Sequence, residues 1–300
     1  ERFRTDPRYR ASRLRGLVQH MRKNSRVDQD LVLQCAAKIQ EVFASHEIKV
    51  RFRSSSNLED IIPFNGAGLY DSTSACAADS LDGDDLGRCR CDPGQSKERT
   101  IERALKKVWS SLFLPKAYNE REFWHLEQER AKMGILVTAA FVEEEANGVI
   151  LTGNPFHGQD RRYVVNVQVG EVSVVDPPEG ILPEKIVIEV ERGEVRAFER
   201  VRSSSLLPPG QWILGDEEIL RLGQLSYQAA SALLPLFASP YGTVLLDLEF
   251  KVIEVEGRRR FVFKQARPFL TEEPTSDSRF ALIVPEGACV WKVHGRKDLE

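Results

Sequence analysis

Two apolar runs late in the chain, residues 243–250 and 261–268, flank Glu256-Gly257 and constrain the fold more than any other stretch. Each has the length and alternation of a strand, and the glycine between them permits a tight reversal. Folded back around Gly257 with an odd-length loop, they set Asp247 opposite Arg267 and Glu249 opposite Gln265, with all four polar side chains on one face. A slip of one residue would destroy the arrangement. Carboxylates on a strand that otherwise reads Val-Leu-Leu and Leu-Phe need a reason to be half buried. A hard cation such as Mg²⁺, held by one or two carboxylates together with phosphate oxygens, is one reason. Structural ion pairs, Asp247 with Arg267 or Glu249 with Lys264, are the other.

A second informative stretch is Arg53-Ser54-Ser55-Ser56-Asn57-Leu58-Glu59-Asp60, delivered by an alternating run at 49–52 and followed by Gly66-Ala67-Gly68. Arg53 offers a planar fork of donors suited to phosphate oxygens. Gly66 and Gly68 let backbone amides approach an anion where a Cβ would obstruct them. The same hydroxyl run also suits a helix-capping turn.

Three hundred residues exceed one ordinary core, so the chain should form two or three lobes around a cleft. The formal charge of −3 argues against a general nucleic-acid or membrane role. No apolar run approaches the roughly 20 residues of a membrane span. The chain opens on Glu1, so its start says nothing about a targeting segment ahead of it. The five cysteines, Cys35, Cys76, Cys89, Cys91 and Cys289, lack paired zinc spacing, and a reduced, cytoplasmic chain is expected. Cys89-Arg90-Cys91 leaves open metal binding or oxidation.

The opening run of arginines, residues 2–26, lacks aromatic platforms and reads as a solvated helix face or a docking surface. Helical spacing of apolar residues is present at 28–46, with Leu31 and Val42 among those read as inward, and at 97–113; a further helix is expected at 117–132. Residues 72–96 read as a long loop whose Asp79, Asp82, Asp84 and Asp85 suit solvation better than the ordered ligands of a calcium loop. Beyond Gly134 the character turns to strands, at 135–142, 148–152, 163–169, 185–190 and 194–201. A helix capped by Asp216 follows. The expected organisation is α+β: a helical segment (1–47), a first lobe with the Gly-rich loop and helices (48–134), a second lobe (135–270), and a linker leading into a further domain (271–300).

Arg53-Ser54-Ser55 with Glu59-Asp60 and the Gly-rich loop, Ala146-Asn147-Gly148-Val149 with Thr152-Gly153-Asn154-Pro155, Asn166 to Gly170-Glu171, Asp247-x-Glu249, and Gln265-x-Arg267-Pro268 occur in one order. That ordered set, across residues 49–268, resembles the nucleotide-binding domain of the phosphoenolpyruvate synthase and pyruvate phosphate dikinase family. The resemblance implies an ATP-grasp fold, with ATP and Mg²⁺ between two lobes. It implies that Arg53 and Arg267 act on the phosphates, that Asp247 and Glu249 hold metal with Gln265 reaching the metal-bound phosphate, and that Glu171 lies near the nucleotide. Family members transfer the β-phosphoryl group of ATP to a histidine on a separate domain, releasing AMP and phosphate. A third domain then passes it to pyruvate or another acceptor. Phosphoryl transfer is mostly positioning and charge neutralisation, so no side-chain nucleophile is required of this chain.

The family's Gly-Gly-Lys-Gly element and its phosphohistidine and acceptor-binding domains are absent from these residues, and Gly153 stands where the family often has Arg. His20, His46, His125, His157 and His294 match no phosphohistidine motif. The alternative to an enzyme fragment is a nucleotide-binding or regulatory module without turnover.

Overall fold

The computed structural model describes residues 1–59, 66, 68–84, 86–140, 144–154, 162–175, 177–237 and 243–271. In chain order the elements are α1 (Arg2–Thr5), α2 (Pro7–Asn24), α3 (Gln29–Phe43), β1 (Lys49–Ser56), β2 (Thr73–Cys76), α4 (Ala78–Leu81), α5 (Ile101–Ser111) and α6 (Pro115–Phe123). They continue with β3 (Met133–Ala139), β4 (Glu144–Leu151), β5 (Arg162–Val169), β6 (Glu184–Glu191), β7 (Glu194–Arg202), α7 (Asp216–Leu233), β8 (Val244–Val255) and β9 (Arg258–Leu270). The class is α+β: all pairings are antiparallel, in one sheet of order β2-β1-β3 and another of order β7-β6-β5-β4-β8-β9.

The three-stranded sheet is built on β1, whose alternation turns Val50 and Phe52 inward to zero exposure. They meet Val32, Ala36 and Ile39 of α3 and Ile101, Ala104, Leu105 and Val108 of α5. Leu31 and Val42, read as inward from spacing, are exposed, because the buried stripe of α3 runs through 32, 36 and 39. α5 starts at Thr100, whose hydroxyl accepts from the Arg103 amide. α6 is shorter than expected and begins at Pro115, where the missing N–H costs nothing.

One expected boundary is corrected. The strand at 135–142, assigned to the second lobe, is β3, and it pairs with β1 from Val50↔Ala139 to Ser56↔Met133. Alternation identifies a strand but not its partner, so the first sheet runs on to Ala139 rather than ending at 134. The loop expected at 72–96 likewise contains β2 and α4.

The six-stranded sheet carries α7 on one face. Ile150, Val165, Ile188, Leu246, Leu248 and Phe250 pack there with Ile219 and Leu222, all at zero exposure. Each such side chain contributes about 1.5–3 kcal/mol by leaving water. α7 is capped one residue earlier than expected, at Gly215, whose N–H donates to Glu218 Oε2 at 2.9 Å. The β6–β7 reversal has Arg192 and Gly193 both at positive φ, the conformation of a two-residue primed turn.

The β8–β9 hairpin has the expected register, with Asp247↔Arg267 and Glu249↔Gln265. The route to it differs. Val255 pairs with Arg258 across a two-residue turn, Glu256 and Gly257, both at positive φ. The extra residue comes from a bulge between Glu249 and Phe250, where Phe250 pairs with Phe263 and Lys264 is the inserted residue.

Candidate functional site

The face of the six-stranded sheet away from α7 and the polar face of β1 meet in a cleft of about 500 Å³, the size of a ligand site. From β1 come Lys49, Arg51 and Arg53, the side chains that alternate with the buried Val50 and Phe52. From β8 come Glu249 and Lys251, which alternate with Leu248, Phe250 and Val252. Asn147, Gly148 and Val149 of β4, Glu171, Arg99 and Lys264 complete the relevant walls.

Positive charge dominates. Among the described residues, Lys49, Arg51, Arg53, Arg99, Lys251 and Lys264 line the cleft against the carboxylates Glu144, Glu171 and Glu249. Burial, then the charges of Arg53 and Arg99, push the Arg51 guanidinium pKa down, with Glu171 opposing. Burial does the same to Arg53, with Glu249 opposing. Cations crowded together and partly desolvated favour an anion between them. Lys251 forms an ion pair with Glu144, while its pKa is pushed down to about 8 by burial, then by Lys264, Arg53 and Arg51.

Glu249 is the acidic centre of this array. Its Oε1 accepts from Arg267 Nη2 at 2.6 Å, and its Oε2 lies 2.7 Å from Lys264 Nζ. The bulge makes the second contact, because it brings Lys264 onto the face that Glu249 occupies. Burial pushes the Glu249 carboxyl up, but Lys264, then Arg267 and Arg53, more than offset it and hold the group below the usual carboxylate range. Of the structural pairs expected as alternatives to metal binding, Glu249 with Lys264 is present, and Glu249 also accepts from Arg267.

Of the predicted site residues, Arg53, Glu171 and Glu249 share the cleft. Gln265 lines an adjoining pocket of about 240 Å³ with Ser54, Ser55 and Ser56, and Arg53 and Lys264 line both. Asp247, 5 % exposed, lies in a narrower pocket of about 70 Å³ with Asn166; Val149 lines both this pocket and the cleft. Gly66 and Gly68 are not among the residues lining the cleft. Gly66 packs against Glu59, and Gly68, at positive φ, accepts from Lys116 Nζ. Within the hydroxyl run, the Ser56 hydroxyl accepts from the Leu58 amide at a turn. Asp60 and Pro155 lie outside the described residues.

Asn147 shows why the Ala-Asn-Gly-Val element matters: its side-chain amide donates to the Gly170 and Val172 carbonyls at 2.6 and 2.9 Å, fixing the turn that presents Glu171. Thr152 bonds Leu246 in both directions, locking β4 to β8. A Cβ at Gly153 would lie 2.6 Å from Leu245 Cδ2, so a side chain there would require the Leu245 side chain to shift. Lys49, Arg51 and Lys251 were missed, although alternation from Arg53 and from Glu249 points to them; Arg99, brought in by the fold, left no such signal.

The family model described as pyruvate phosphate dikinase, AMP/ATP-binding domain, matches residues 8–282. The chain belongs to that family. That membership places an ATP- or AMP-binding role on this chain within a phosphotransferase family. A search of curated proteins returns no match. Among the described residues, no helix of this dikinase-family domain is long and apolar enough to cross a membrane.

Proposed function

We propose that the chain is the nucleotide-binding part of a dikinase-like phosphotransferase with an ATP-grasp arrangement, in which ATP lies between the two sheets. The observation that carries the reading is that Arg53 of one sheet and Glu249 of the other line a single cleft. Arg51 and Arg53 bind phosphate oxygens from the β1 side, Arg267 and Lys264 from the β9 side, and Glu171 orients the nucleotide. The Ser54–Ser56 hydroxyls and Gln265 extend the polar lining beyond Arg53.

The residues also fit Mg²⁺. Glu249 is held ionised, and Asp247 stands two residues away on the same face, a set of hard oxygen donors suited to this ion. When bound there, Mg²⁺ neutralises phosphate charge and polarises the phosphorus–oxygen bonds. Asp247 and Glu249 would hold it, assisted by Gln265, and Arg267 and Lys264 would then turn from Glu249 to phosphate. In this reading the phosphoryl group passes to a histidine on a separate domain and then to pyruvate or another acceptor, with AMP and phosphate released.

Titration calorimetry tests the proposal. ATP binding is expected to require Mg²⁺ and to weaken about 10- to 100-fold in Arg267→Ala and Glu249→Ala, the range of a charge-assisted hydrogen bond. No nucleotide binding, with or without Mg²⁺, by a longer chain carrying the Gly-Gly-Lys-Gly element overturns it. A second reading, binding without turnover, is favoured by the existing neutralisation of Glu249 by Lys264 and Arg267. AMP release on mixing with a phosphohistidine domain separates the two.

A further inference from the structure

The end of β2 and the segment after it carry three cysteines, Cys76, Cys89 and Cys91, and two carboxylates, Asp79 and Asp92, that the nucleotide reading does not use. The expectation of reduced thiols is corrected here, because Cys76 and Cys91 form a disulfide. Cys76 is fully buried at the end of β2, directly opposite Lys49 in the β1–β2 ladder. Cys91 is half-buried and packs against the buried Cys76, Ala78 and Cys89. Cys89 is free and buried, with its sulfur within 4.8 Å of Cys76 Sγ. Asp79, expected to be a solvated acid, is instead buried and accepts from the Arg90 and Arg99 amides, both at 2.8 Å, so it ties down both ends of the 90–99 segment.

Asp92 follows Cys91 directly. Its Oδ2 lies 2.8 Å from Lys49 Nζ and 3.6 Å from the Arg99 guanidinium. The hydrogen bond from Lys49 holds its carboxyl below the usual range despite some burial, so it is an anion at neutral pH. Lys49 and Arg99 are two of the cations that line the cleft. A protein carboxylate thus occupies charge that a phosphate would use, and the residue beside it is covalently anchored to the sheet.

We propose that the Cys76–Cys91 disulfide is a reversible redox latch on the cleft: when formed it keeps Asp92 on Lys49 and Arg99, and its reduction by a dithiol releases both cations to the anionic ligand. The first thiolate of the dithiol attacks Cys91 Sγ, and the Cys76 sulfur leaves and takes up a proton. The second thiol of the reductant then displaces Cys91, so two chain thiols form as one disulfide forms in the reductant. Cys89 stays out of the exchange. Burial, then its hydrogen bond to Asp79, push its thiol pKa up, which leaves it protonated and a poor nucleophile at neutral pH. The latch rests on the reading of the cleft as a polyphosphate site.

The test uses the full chain and two probes, inorganic tripolyphosphate and ATP with Mg²⁺, titrated before and after excess dithiothreitol, with thiols counted by mass spectrometry. Reduction is expected to add two titratable thiols and tighten binding of both probes about fivefold, the lower range of ordinary site–site coupling. Cys91→Ser should bind at the reduced level under both conditions. Asp92→Asn, which keeps the disulfide, should also bind tightly in both states and lose the redox response. Unchanged affinity as the thiol count rises overturns the latch and leaves the nucleotide reading intact. So does a redox response that persists in Asp92→Asn, or ready alkylation of Cys76 and Cys91 before reduction. Tripolyphosphate binding that responds while ATP does not bind removes the nucleotide reading and keeps the latch. Failure of both probes to bind in either state removes both.

Discussion

Arg267 stands opposite Asp247 in the β8–β9 ladder, yet its guanidinium donates to Glu249, one pair further along the same face, at 2.6 Å. The side chains of Arg267 and Glu249 are 7 % and 19 % exposed, so the pair is shielded from the screening that weakens surface bridges. Deleting either partner leaves charge behind in that setting. Glu249→Gln and Arg267→Ala should each lower stability, and the double variant should lose less than their sum. A coupling of about 1.5–3 kcal/mol is expected from a charge-assisted bond. Urea unfolding of the four proteins measures it, and additive losses would show that the contact contributes nothing specific.

Arg51 gives a contrasting case. It is a cleft cation crowded by Arg53 and Arg99, so its charge is a local cost that an anion relieves. Arg51→Ala should therefore weaken tripolyphosphate binding about 10-fold or more while leaving the unfolding midpoint the same or slightly higher. Tripolyphosphate binding should also depend less steeply on salt. Undiminished affinity in the variant would place Arg51 outside the anion site.

How far this site was legible depends on whether a contact is carried by alternation or by the fold. The register that sets Asp247 against Arg267 and Glu249 against Gln265 was legible because two alternating runs around a glycine admit few registers. The bulge at Lys264 was not legible, since it compensates for the length of the turn and leaves no compositional trace. Lys49 and Arg51 follow from the same alternation that turns Arg53 to the cleft. Arg99 and the Cys76–Cys91 bond depend on a segment that returns from distant sequence, and cysteine spacing carries no pairing information. The partner of β3 was misjudged for a related reason, as alternation is silent about which sheet a strand joins.

Gly148 lies where β4 crosses Phe250, its ladder partner on β8. A Cβ at this position would sit 2.3 Å from Phe250 Cζ and 2.8 Å from the Asn166 carbonyl oxygen. The ring belongs to the core under α7 and the carbonyl to the β4–β5 ladder, so neither can yield cheaply. Gly148→Ala should cost about 1–3 kcal/mol, as overpacking does. Adding Phe250→Leu should recover part of the ring's share and none of the backbone's. Denaturant midpoints for the two variants decide it, and a neutral Gly148→Ala would mean that the strands separate more freely than their packing implies.

Tyr163 opens β5 and is 6 % exposed within the core beneath α7. Burial, then the nearby Tyr227, push its phenol up to about 12, whereas an unfolded tyrosine ionises near 10. The raised folded-state pKa means that the unfolded chain releases this proton first. The phenol's contribution is fully present below about pH 10 and is lost as pH rises toward 12, where the unfolded state holds fewer protons. A shift of this size corresponds to about 2–3 kcal/mol across that window. Tyr163→Phe has no proton to lose, so its stability should fall less steeply over the same range, whatever its stability at neutral pH. Urea midpoints at intervals from pH 9 to 12 compare the slopes, and parallel curves would place the Tyr163 hydroxyl in contact with water.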